Sequence, residues 1–142
     1  MKKIQFENNK TTVSQETFLA FQENIEEAID GTVLFQNWAG IAGDINLEED
    51  PNQYKSLKIF AGKGEIGITT VEVPRELYDQ KINITQAQDV GPVIQLIEKR
   101  WYIDGTYLRV YGTPSYINFA ENLIREQGSE NTILVYKVIG YK

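Results

Sequence analysis

The sequence predicts a mainly β fold, with an N-terminal α-helix followed by an antiparallel, jelly-roll-like β-sandwich of about eight strands. Three observations carry this expectation. Residues 13–30 carry the only clear helical period. Beyond it, short segments of alternating polarity recur between turn signals, the spacing expected of a sandwich or barrel. The last run, Thr132 to Tyr141, is apolar at both parities, as a strand covered on both faces requires.

The helix comes first. Phe18, Phe21, Ile25 and Ala28 are spaced three, four and three residues apart, with Leu19, Gln22 and Ile29 alongside. Thr12 with Gln15 forms a capping box, and Ser14 is a rival N-cap. Asp30-Gly31 supplies the stop, because glycine tolerates the left-handed conformation past the last turn. The first eleven residues are polar and expected to be extended. Asp30-Gly31 is also the one plausible boundary, dividing an extended segment and assembly helix (1–31) from a β-sandwich (32–142).

The strands follow in order. Val33 to Phe35 opens the series; Ile45 and Leu47 alternate with Asp44, Asn46 and Glu48; Leu57 and Ile59 alternate with Ser56 and Lys58. Ile66 and Ile68 lie on one parity and Val71 and Val73 on the other, which predicts a bulge or a break at Thr69-Thr70. Ile82 and Ile84 form the next strand, then Val93 to Ile103 and Thr106 to Tyr111. The last two flank Asp104-Gly105, the sharpest local signal in the chain and the mark of a two-residue type I′ hairpin. Turns are expected at Ala39-Gly40, Asp50-Pro51-Asn52, Gly62-Lys63-Gly64, Asp89 to Pro92, Gly112-Thr113-Pro114 and Gly128-Ser129. Residues 115–127 fit either a helix or a strand ending in a loop, with the strand slightly preferred.

Composition narrows the function. The 142 residues are 42% hydrophobic and 24% charged, the profile of a globular chain rather than a disordered one. A net charge of −6 repels phosphate, and the basic clusters Met1-Lys2-Lys3 and Lys99-Arg100 are too small for a groove binder, so no nucleic-acid role is expected. Neither cysteine nor histidine occurs, which removes thiol nucleophiles and histidine bases. No cofactor, metal or enzymatic activity is expected. No apolar run approaches the length of a membrane span, and no apolar stretch follows the basic start as in a signal peptide. The expectation is a chain that touches no membrane and stays in the producing cell until released.

Several candidate sites compete with plainer readings. Asp44, Asn46, Glu48 and Asp50 alternate like a calcium loop, but Glu49 stands where the turning glycine belongs, so a solvated strand edge is preferred. Glu72, Glu98 and Asp104 lie on different strands and give no recognisable hydrolytic pair. Gly62-Lys63-Gly64 lacks the spacing of a phosphate loop and reads as a turn. Trp38, Trp101, Tyr102, Tyr107, Tyr111 and Tyr116 could form a sugar-stacking platform. For Trp101 and most of the tyrosines, filling the core or a subunit interface is the preferred reading, and Trp38, in a predicted loop, is the best candidate for ligand binding. Phe18, Phe21, Ile25 and Ala28 mark an oligomer interface, since large side chains on so short a helix need a partner surface.

The ends of the chain resemble a known group. Ile4 to Val13, then the helix ending Gln22 to Ile29, resembles a leader of tail, baseplate and fibre proteins of phages that infect Gram-positive bacteria. The close, Ile133 to Lys142, is similar to the terminal strand of the same group, and Trp101 to Tyr107 is similar in character. The resemblance covers about a quarter of the chain firmly. It implies a virion structural module, made in the host cytoplasm and usually trimeric, with other phage structural proteins as partners. A host cell-wall saccharide is a further expected partner. The chain departs from longer members in having no fibre shaft or second receptor domain. A monomeric carbohydrate-binding module is the alternative.

Overall fold

The computed structural model describes residues 15–64, 66–90, 93–119, 123–127 and 133–142. Within these, the side chains of residues 24, 26–29, 90, 93, 113–119 and 123–127 lie outside the description. The polar leader, the helix caps at Thr12 and Ser14 and the turn at Gly128-Ser129 are outside it as well.

The helix, α1, spans Gln15–Asp30 and stops where predicted. Gly31 takes φ +72°, and a Cβ there would lie 2.5 Å from the Ile139 side chain, so only glycine can make this joint. Nine strands follow among the described residues: β1 (Thr32–Ile41), β2 (Ile45–Asn46), β3 (Ser56–Gly62), β4 (Thr69–Pro74), β5 (Ile82–Val90), β6 (Val93–Asp104), β7 (Tyr107–Phe119), β8 (Leu123–Gln127) and β9 (Leu134–Tyr141). They form two antiparallel sheets, β1-β9-β3-β4 and β2-β7-β6-β5, with β8 also on β7. The sandwich is therefore established. Two pairings join strands far apart in sequence, β1 with β9 and β2 with β7. The β3–β4 hairpin and the β5–β6–β7 meander stay within their own sheets.

One core joins the sheets. Leu34, Leu57, Ile59, Val135 and Val138 from the first sheet meet Ile45, Ile84, Ile97, Trp101 and Leu108 from the second. Alternation set these faces: in β3, Leu57, Ile59 and Ala61 are buried, while Lys58 and Phe60 between them are partly exposed. β9 is a central strand, and its Tyr136 and Ile139 are buried too, as its unbroken apolar run requires.

Four local expectations need correction. Ala39-Gly40 is no turn: β1 runs through it, and Gly40, at φ +80°, makes a bulge where the register with β9 shifts. Trp38 thus sits on a strand rather than in a loop. Likewise Gly112 to Pro114 is a bulge inside β7, lying between the pairs Glu98–Ser115 and Arg100–Tyr111, and bulges tolerate proline. The hairpin after β6 turns on Gly105-Thr106 rather than Asp104-Gly105, because Asp104 pairs with Tyr107 in the ladder. Gly105 still has the expected positive φ, +58°, which both mirror-image hairpin turns demand at their first central position. Finally, residues 115–119 continue β7 as preferred, but 123–127 form the strand β8 instead of a loop. At Thr69 the parity switch is a break, with β4 beginning there after the connection from β3.

Two buried polar side chains tie loops to the frame. Gln86 accepts from the Lys63 backbone at 2.8 Å and donates to the Gly67 carbonyl at 2.9 Å, fixing the β3–β4 connection. Lys99, only 3% exposed, donates to the carbonyls of Ala42 and, at 3.0 Å, Ile133. It thereby joins the β1–β2 loop to the start of β9.

Candidate functional site

Three surfaces carry the residues singled out from the sequence. The first is the face of α1. Phe18, Phe21 and Ile25 are 60%, 52% and 43% exposed, and Leu19 beside them is exposed as well. The helix is about 24 Å long. The structure shows these four large apolar side chains in solvent, while the sandwich closes its own core. Ala28 falls on the same helix, but its side chain lies outside the described residues.

The second surface surrounds Trp38 on the outer side of the first sheet. Trp38 is 57% exposed, as expected, and stacks on Tyr136 with ring centroids 6.5 Å apart and an interplanar angle of 25°. The Lys137 ammonium stands 6.0 Å from the Trp38 ring and 5.9 Å from that of Phe60, a cation held over aromatic faces. Sequence reasoning missed Tyr136 and Phe60, because their neighbourhood with Trp38 depends on β9 lying between β1 and β3.

The third surface is the outer side of the second sheet. Trp101 faces inward and is buried, as preferred for it; its indole N–H has no hydrogen-bond partner among the described residues. Tyr102, Tyr107 and Tyr111 face outward instead, so of the core or subunit interface expected for most tyrosines these three do not fill the core. One-residue alternation is the reason: with Trp101 and Leu108 inward, Tyr102, Tyr107 and Tyr111 must point the other way. The side chain of Tyr116 lies outside the described residues. Tyr102 and Tyr111 meet edge to face at 6.2 Å, and Lys81 lies over both rings. Arg109 stacks on Tyr107 and bonds Asp104 at 2.8 Å and Asp44 at 3.1 Å.

The acidic candidates have structural partners. Asp44 accepts from the Val110 backbone N–H at 2.8 Å. That bond, with Arg109 beside it, holds its carboxyl below the usual aspartate range. The two carboxylates push Arg109 the other way, upward. Asp50 accepts from the Asn52 backbone N–H at 2.9 Å and caps a short 3-10 turn at Pro51–Gln53. Within the alternation from Asp44 to Asp50 only Ile45–Asn46 is strand, and Ile45 and Leu47 are buried between the polar residues. No group of three or more potential metal-binding side chains occurs among the described residues. Glu72 stands on the opposite sheet from Glu98 and Asp104, which pair with Arg100 and Arg109. No helix among the described residues is long and apolar enough to cross a membrane.

No protein-family model, curated protein or solved structure matches the chain.

Proposed function

We propose that this chain is a structural protein of a bacteriophage particle, a tail, baseplate or head-fibre component. In this reading it assembles with copies of itself, as a trimer, through α1 and carries its sandwich outward. The carrying observation is the exposed stripe of Phe18, Leu19, Phe21 and Ile25 on a helix joined to a closed sandwich. Large apolar side chains in solvent mark a surface that another chain covers. Burying what remains exposed of Phe18, Phe21 and Ile25 contributes roughly 3 kcal/mol or more per chain. The resemblance of the leader and of the terminal strand to phage structural proteins supplies the particle and the trimer. The partners are then sister chains and other virion proteins, with Trp38 as a contact for host cell-wall saccharide. The protein performs no catalysis in this reading.

Immunogold labelling of purified particles tests it. Label at one fixed place on the particle is expected; particles free of the protein contradict the proposal. The alternative, a monomeric carbohydrate-binding module, is favoured by the exposed Trp38 ring, held by stacking on the buried Tyr136, since flat aromatic faces suit sugar rings. A monomer in solution that binds sugar through Trp38 would support it.

A further inference from the structure

The outer side of the second sheet holds an arrangement that assembly through α1 leaves unused. Lys81 lies just ahead of β5, with its ammonium 4.3 Å from the ring of Tyr111 and 5.0 Å from that of Tyr102. Tyr111 is 44% exposed. The other described cations of this face have carboxylates: Arg100 pairs with Glu98 at 3.1 Å, and Arg109 with Asp104 and Asp44. Lys81 has no carboxylate partner among the described residues; its neighbours are aromatic. Beside it, the gap between the edge strands β4 and β5 opens into a cleft of ≈ 220 Å³, lined by Val73, Pro74, Leu77, Lys81 and Asn83 among others, with the Glu72 carboxylate also on its wall, so an anionic substituent must lie at the Lys81 side. Lys81 therefore belongs both to the cleft and to the tyrosine pair.

We propose that Lys81, Tyr102, Tyr111 and the adjoining cleft bind a saccharide that carries a carboxylate or phosphate group. The chemistry follows from the parts. A tyrosine face matches the C–H face of a sugar ring, and the cleft is below the roughly 300–1,000 Å³ of pockets for drug-sized ligands, which suits one ring. Amide groups such as that of Asn83 supply hydrogen bonds to hydroxyls. Among the described side chains of the face, the ammonium is the one cation without a carboxylate partner, and its seat over two rings fixes it before the ligand arrives, which lowers the ordering cost of binding. The chain as a whole is acidic at −6, so binding a single anionic sugar is weak and rests on this local charge. Repeated copies would multiply it. Lys81, Tyr102 and Tyr111 belong to the side of the second sheet, away from Trp38 on β1 of the first, and the site goes beyond the function proposed above.

Titrating the isotopically labelled full chain by NMR with glucuronate, glucose 6-phosphate and glucose tests the proposal. Shifts at Lys81 to Asn83, Tyr102 and Tyr111 are expected with at least one charged sugar, at Kd of about 1–10 mM, and glucose should bind about tenfold more weakly. Which charged sugar binds tells a carboxylate ligand from a phosphate one. Lys81→Gln should erase the preference for charge. Tyr111→Ala should weaken binding about tenfold, while Tyr111→Phe, which keeps the ring, and Trp38→Ala should leave it unchanged. Absence of shifts with both charged sugars at about 50 mM, equal binding of glucose, or loss of binding in Trp38→Ala instead would overturn it. None of these variants touches α1, so failure here is distinct from failure of the assembly reading.

Discussion

Lys99 is the residue whose environment departs furthest from its ordinary one. Burial pulls its ammonium down to about 8 from the usual 10.5, because the charged form loses water and gains in return two carbonyls and the face of Trp101. Between pH 8 and 10.5 the unfolded chain holds a proton there that the folded chain has released, so stability rises with pH across that window. Below pH 8 the cost of the buried charge is fully present, up to about 3 kcal/mol. Tyr78 acts oppositely: burial raises it to about 12, so its contribution falls as pH climbs above 10. Subtracting the denaturation curves of Lys99→Met from those of the native chain isolates the lysine, and the difference should change between pH 8 and 10; a flat difference contradicts this account. Gly105 gives a second prediction at this scale. A Cβ there meets nothing within 4 Å, so Gly105→Val bears only the backbone strain of φ +58°, about 1 kcal/mol. Urea denaturation checks it, and no loss of stability would refute the strain.

At the scale of elements, α1 and its joint to β1 decide most. Gly31→Ala should cost about 1–3 kcal/mol more than Gly105→Val, because the added Cβ also collides with Ile139 and with the Gly140 carbonyl at 2.8 Å. Equal losses would show that the joint relaxes freely. The face of α1 has the opposite signature: its apolar side chains contribute little to a single chain's fold, being about half exposed. Phe21→Asp should therefore leave circular dichroism and the sandwich intact while reducing the mass seen by light scattering. An unchanged mass with the fold intact rules out α1 as the interface. Such a helix was legible from sequence because its period shows in adjacent turns. The register bulges were not. Gly40 and Gly112 carry the same signal as turn glycines, and only pairing with β9 and β6 shows that the strands continue. β8 escaped for a related reason, since Leu123 to Gln127 alternates too weakly to announce a strand and is fixed by its pairing with β7.

For the whole molecule, the sandwich was readable because each core strand alternates and β9 is apolar throughout, so local pattern and global packing agree. The surfaces were only partly readable. Trp38 is exposed as expected, yet its partner Tyr136 comes from a strand about a hundred residues away in sequence, and Lys81 meets Tyr102 and Tyr111 only through the meander. Juxtapositions of that kind follow from topology, which composition does not encode. A chain built this way, with aromatic faces and structurally engaged carboxylates, is proposed to bind and assemble without catalysis. Incubating it with Gram-positive cell-wall polysaccharide should release no reducing ends, and measurable hydrolysis would overturn that part. The central claim is that sister chains cover the face of α1, and the mass of the intact protein in dilute solution tests it most directly. Light scattering should give three times the 16.2 kDa of one chain; a stable monomer, with Phe18, Phe21 and Ile25 left in water, would contradict it.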